Sequence, residues 1–178
     1  MSGRRPDSML LKSKDVAYLG VLLGLNQLFI ILSSVIETNT IILFAVAALL
    51  IGIVIEEFGV KSGVVFYIAS CLLGFFLTFN KVELITYVIF FGLYSLIKYM
   101  LEIKIDNKYI LHGVKLIYFN ASLVAMYFAV KLFTPLKLTW WMILAGQVLF
   151  IVYDYAFTIF ITAYIKNIKP KIHRRAMD

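Results

Sequence analysis

Asp154 and Gln147 stand inside residues 138–165, LTWWMILAGQVLFIVYDYAFTIFITAYI, an otherwise apolar run long enough to span a bilayer. At 100° per residue, Trp140, Gln147, Asp154 and Thr158 fall within about 40° of one another on a helix. A carboxylate in a lipid-spanning helix costs roughly 2.5–3.5 kcal/mol or more unless it faces protein or water. This face must therefore turn inward, and other helices must enclose it. The chemistry on offer is recognition of a polar solute by an ionised or protonated acid, or pairing of Asp154 with a tyrosine hydroxyl.

Three further apolar runs carry comparable stripes. Asn120, Tyr127 and Lys131 share one helical face; Glu83, Tyr87 and Tyr94 share another, continued by Lys98; Asn26 and Ser33 align with Glu37. At 1.5 Å per residue Asn120 lies about 16 Å from Lys131, and Asp154 about 21 Å from Trp140, which sets the two near a common depth at mid-membrane. One reading is a ligand pocket open to the outer side, walled by aromatics and set with a few polar groups. In it Lys131 or Lys81 attracts an anionic group and Asp154 or Glu83 a cationic one. The other reading is interhelical glue, at about 0.6 kcal/mol per hydrogen bond. Trp140 and Trp141 suit an interfacial belt, and Trp140 is also placed to cover a ligand. Ala17, Gly20 and Gly24 form a small-residue face that admits a second helix closely. That helix belongs either to a membrane partner or to this chain, where Ala45, Ala48 and Gly52 offer a match. Glu56 and Glu57 read as solvated loop charge, and the Asn120-Ala121-Ser122 sequon lies inside a span.

The elements that position these groups follow from composition. Of 178 residues 62% are hydrophobic, and mean hydropathy is +0.94, against about 45–50% apolar residues in soluble domains. The pattern predicts a single all-α membrane domain, a six-helix bundle with spans at about 16–36, 40–55, 63–78, 82–101, 110–133 and 138–165. The second and third are short for a core about 30 Å thick. Glu37-Thr38-Asn39, Glu56-Glu57-Phe58-Gly59, Phe79-Asn80-Lys81, Asp106-Asn107-Lys108 and Thr134-Pro135 punctuate them. Six spans put both termini on one side. Of the 17 Lys and Arg residues, all but Lys81, Lys131 and Lys137 then fall on that side. The positive-inside rule makes it cytoplasmic. Arg4, Arg5, Lys12 and Lys14 anchor the start of the chain, which reads as neither a cleavable signal nor a twin-arginine leader.

The net charge of +7 flanks the spans and so serves topology rather than nucleic acid, and no nucleic-acid-binding pattern interrupts them. Cys71 is the single cysteine, which excludes an internal disulfide. His112 and His173 have no Cys or carboxylate cluster at metal spacing. A nucleophile elbow, a P-loop and a Gly-rich phosphate cradle are all missing from the sequence. The expectation is a protein without enzyme activity, cofactor or metal, and without an internal repeat of the kind secondary transporters carry.

The length, the six spans, the inward termini and the small-residue face at Ala17, Gly20 and Gly24 resemble the S component of an energy-coupling factor (ECF) transporter. The resemblance is architectural and covers the whole chain. It implies a bacterial plasma-membrane subunit that captures a vitamin or similar micronutrient in an outer-half pocket. That pocket is built from the last three helices and from the loops at Glu37, Thr38, Asn39 and at Asn80, Lys81. It also implies docking of helix one, through Gly20 and Gly24 where the family usually has alanines, to a transmembrane coupling subunit served by two cytoplasmic ATPases. The rod-shape-determining D proteins share this size and topology and represent a scaffold alternative. A small autonomous transporter or channel is a third.

Overall fold

The structure is a computed structural model that describes residues 13–133 and 139–170, with the side chain of Glu37 outside that description. The anchor residues Arg4, Arg5 and Lys12, the Thr134–Pro135 turn, and Lys137 also lie outside it. Among the described residues there is no strand. Five helices are long and apolar enough to cross a membrane: α1 Ser13–Val35, α2 Thr40–Leu77, α3 Lys81–Lys104, α4 Lys108–Lys131 and α5 Trp140–Ile168. Their outward faces carry exposed Phe76, Ile117 and Val148, a surface suited to lipid. The chain is a multi-pass membrane protein.

α2 is not straight. At about 1.5 Å per residue its length would approach 57 Å, nearly twice a bilayer core. Gly59, at φ 81° and ψ 172°, breaks it. That region of backbone space is essentially reserved for glycine. Asn26 Nδ2 donates to the Ala47 carbonyl (2.8 Å), while Ser70 Oγ donates to Asn26 Oδ1 (2.5 Å). Ala47 and Ser70 would stand roughly 34 Å apart on an uninterrupted helix. One side chain reaches both, so arms 40–58 and 60–77 run antiparallel beside each other. The sequence placed a four-residue turn here and two short spans. Instead, helix continues on both sides of the single residue Gly59, and each arm is longer than expected.

The loops are closed by local caps. Asn107 Oδ1 accepts from the backbone N–H groups of Tyr109 (3.0 Å) and Ile110 (3.5 Å) at the start of α4. A 3-10 turn at Glu37–Asn39 joins α1 to α2. Two ends of the bundle can then be named. The Gly59 end gathers the start of α1, the end of α3, the start of α4 and the end of α5: Tyr164 Oη donates to Glu57 Oε1 (3.0 Å) and meets Tyr18 Oη (3.1 Å), and Lys169 Nζ donates to the Glu56 carbonyl (2.7 Å). The opposite end carries Asn39, Asn80, Lys131 and Trp140.

α3 contains a π-helical segment, Tyr87–Gly92. The wider turn leaves carbonyls without their usual helical partners. Tyr67 Oη donates to the Val88 carbonyl (2.8 Å) and Tyr118 Oη to that of Ile89 (3.1 Å). A Cβ on Gly92 would lie 2.7 Å from the Tyr67 ring, so glycine is what lets that ring in. The space between α3, α4 and α5 is filled by aromatics. Phe119 stacks on Phe150 (centroids 4.5 Å, 7°), Tyr94 on Tyr118 (5.8 Å, 23°), and Phe90 meets Phe119, Phe150 and Tyr153 edge-on or tilted.

Candidate functional site

Asp154 is the centre of an ionic network. Its carboxylate accepts from Tyr94 Oη (2.6 Å), from Lys115 Nζ (3.0 and 3.2 Å) and from Lys98 Nζ. Glu102 Oε1 takes the same two ammonium groups, Lys98 at 2.9 Å and Lys115 at 2.7 Å. Two cations and two anions thus alternate, contributed by α3, α4 and α5. The side chains of Lys98 and Lys115 are 4% and 3% exposed, that of Asp154 13%, and that of Glu102 38%. Charges this far from water persist only when each is paired and hydrogen-bonded. The third acceptor for Lys98 is Thr158 Oγ1 (2.8 Å), which itself donates to the Asp154 carbonyl (2.9 Å). Lys98 also lies over the Phe157 ring, 5.6 Å from its centroid.

The sequence supplies this arrangement through helix period. Tyr94, Lys98 and Glu102 recur every four residues and so line one face of α3. Asp154 and Thr158 do the same on α5. A cleft of about 200 Å³ runs beside the network toward the Gly59 end, lined in part by Glu56, Ser95, Tyr99, Glu102 and Phe157. Gly52 holds α2 close to α5 along it. A Cβ there would come within 3.0 Å of Phe157 and 2.9 Å of Ile161.

The groups singled out from the sequence separate into several places. Asp154 faces protein, as the cost of its charge demands. Asn120 does not share its depth. Gln147 Nε2 donates to Asn120 Oδ1 (2.8 Å) and Asn120 Nδ2 to the Leu116 carbonyl (2.8 Å). The Asn120–Gln147 register sets Asp154 about 10 Å further along, opposite Lys115. The sequence count had taken Lys131 and Trp140 as level, whereas this register puts Trp140 about one turn deeper. Tyr127 and Lys131 pair with each other, the ammonium 5.6 Å from the ring centroid. Trp140 is 80% exposed.

The α3 stripe also divides. Tyr87 belongs to a second network, accepting from Asn26 Nδ2 (3.0 Å) and bonding Ser70 Oγ (2.9 Å), whereas Tyr94 bonds Asp154. The π segment between them adds about one residue to the turn, roughly 100° of helical phase, so a regular wheel merges two faces that the fold keeps apart. Asn80 caps α3, accepting from the Glu83 N–H (3.2 Å). Lys81 donates to the Thr78 carbonyl (2.6 Å) and that of Phe75, satisfying the end of α2. Glu83 is half-buried in the first turn of α3, and Asn39 is exposed.

Glu102 was missed, Lys98 was read as the inner end of the α3 stripe but counted with the cytoplasmic lysines, and Lys115 was assigned to the flanks. The available signal was the Lys98–Glu102 spacing of four and the depth of Lys115, two turns inside α4. Counting them with the interfacial lysines concealed it. On α1, Ala17, Gly20 and Gly24 are exposed, and a Cβ on either glycine meets nothing within 4 Å. The intrachain alternative, Ala48 and Gly52, is occupied elsewhere, since Ser95 Oγ donates to the Ala48 carbonyl (2.8 Å) and Gly52 abuts Phe157.

Among the described residues no three His, Cys, Asp or Glu side chains gather as a metal site. A scan of the chain against protein-family models gives no match, and searches of curated proteins and of solved structures give none either.

Proposed function

We propose that the protein is a non-enzymatic substrate-binding subunit for ATP-driven uptake of a small micronutrient, similar to an ECF S component. In this reading the arms of α2 are two crossings, which makes six in all. The Gly59 end and both termini face the cytoplasm of a bacterium. The observation that carries the reading is the ionic network beside its cleft. Ionisable groups in membrane-spanning helices are costly and mark solute or ion pathways, and here two of the four, Lys98 and Glu102, line a cavity. The cleft points to the Gly59 end, the side for release. Loading from outside then requires the bundle to reorient in the membrane. The open glycine face of α1 offers a surface for a transmembrane coupling partner, and in this reading the energy for that movement comes from the partner's ATPases.

The aromatic filling between α3, α4 and α5 favours a second reading, a rigid scaffold for a cell-envelope complex. Gentle detergent extraction, pull-down and mass spectrometry separate the two. Co-recovery of ATPases with a membrane coupling subunit, lost in Gly20→Leu/Gly24→Leu, supports uptake. Recovery of wall-elongation proteins overturns it. Concentrative flux in liposomes holding this chain alone would instead establish an autonomous transporter.

A further inference from the structure

The geometry points to a small organic cation, an ammonium, amidinium or guanidinium solute, as the ligand of the cleft beside Lys98. This deepens the uptake reading and rests on it. The inference comes from which hydrogen-bonding capacity is spent and which remains.

Lys98 is the cation that lines the cleft. An ammonium has three N–H donors, and those of Lys98 are engaged by Asp154 Oδ1, Glu102 Oε1 and Thr158 Oγ1. Lys115 likewise meets three acceptors, Glu102 Oε1 (2.7 Å), Asp154 Oδ1 (3.0 Å) and Asp154 Oδ2 (3.2 Å). An anionic solute would find no free donor on either. The acceptors are differently placed. Both lysines bond the same oxygen of Glu102, Oε1, and the described residues supply no bond to Oε2. Glu102 is also the most exposed of the four ionic partners. Glu56 is the second carboxylate in the lining; Lys169 donates to its backbone carbonyl (2.7 Å), and no hydrogen bond or ion pair among the described residues ends on its carboxylate oxygens. The lining therefore holds one spent cation and two carboxylates with acceptor capacity.

Tyr99 and Phe157 supply aromatic walls, which attract a desolvated cation through the ring quadrupole. The volume of about 200 Å³ is below the roughly 300–1,000 Å³ of sites for drug-sized ligands, so the solute is small. Among the described residues no third His, Cys, Asp or Glu gathers with Glu56 and Glu102 as a metal-holding group, which favours a hydrogen-bonding organic cation over a metal ion.

The test uses the purified full chain in nanodiscs. Agmatine, putrescine and tetramethylammonium are titrated by calorimetry and thermal shift, against succinate, inorganic phosphate and glycerol, with Ni2+ as the metal control. At least one organic cation is expected to bind and raise Tm, and the anions and glycerol to do neither. Glu56→Gln is expected to weaken that binding tenfold or more while the ligand-free Tm stays put, because Glu56 lies outside the four-charge network. Glu102→Gln is expected to abolish binding, with a lower Tm. Binding of an anion or neutral solute, a metal response without an organic one, cation binding indifferent to Glu56→Gln, or a flat panel each overturns the proposal. The uptake reading is judged separately. Co-purified ATPases together with a flat cation panel would reject this ligand class and leave the transport role standing.

Discussion

Two buried polar networks lie in this bundle, and they differ in kind. One joins α1, both arms of α2 and α3 through Asn26, Gln27, Ser70 and Tyr87; it carries no charge, and Asn26, Ser70 and Tyr87 are completely shielded from solvent. The other joins α3, α4 and α5 through Lys98, Glu102, Lys115 and Asp154; it carries four charges and borders a cleft. Neutral groups satisfy one another at small net gain, and the loss of one leaves a modest defect. Ionised groups tolerate no orphan, because a charge stripped of its partner stays buried at full cost. The neutral network therefore fits a fixed joint. The ionic one fits a place where partners can be exchanged.

That contrast predicts unequal damage. Asp154→Ala leaves Lys98 and Lys115 sharing one carboxylate. It is expected to destabilise the protein by about 3–5 kcal/mol, read as lost monodisperse protein on size-exclusion chromatography. Adding Lys115→Ala should recover part of the yield; no recovery would mean that the charges act independently. Gly59→Ala comes next. Forcing a Cβ into the positive-φ reversal should cost about 1–3 kcal/mol, visible as a lower Tm in detergent. Asn26→Leu in the neutral network should cost about 1–3 kcal/mol by removing the amide that bonds Ala47, Tyr87, Gln27 and Ser70, while the Tyr87 and Ser70 hydroxyls keep each other. A double-mutant cycle with Ser70→Ala should give coupling below that found for Asp154 with Lys115. The smallest effect is expected for Gln147→Ala, whose partner Asn120 is exposed: about 0.6 kcal/mol. A loss as large as that of Asp154→Ala would erase the distinction between charged and neutral joints.

Much of the bundle was legible in the sequence because lipid imposes a strong pattern. The ends of α1, α3, α4 and α5 fall within a few residues of the apolar runs, and the cost of a membrane carboxylate placed Asp154 against protein. Three things were not legible, each for a physical reason. A one-residue reversal at Gly59 leaves no polar loop to see, so Glu56 and Glu57 suggested a longer turn. The π segment shifts phase within α3, which a regular 100° wheel cannot register, so Tyr87 and Tyr94 seemed to share a face. Lys98 and Lys115 look the same as interfacial lysines in a count of charges. Only the packing of α3 against α4 and α5 shows them buried. A tyrosine hydroxyl was one partner foreseen for Asp154, and the fold shows that it is Tyr94.

The reversal at Gly59 also bears on how the chain is made. During synthesis the arms of α2 emerge one after the other with a single residue between them. Neither can be threaded, tagged or cleaved apart from its twin without breaking helix. Their antiparallel pairing can form only once the second arm is complete, and a peptide inserted at Gly59 would part the two arms.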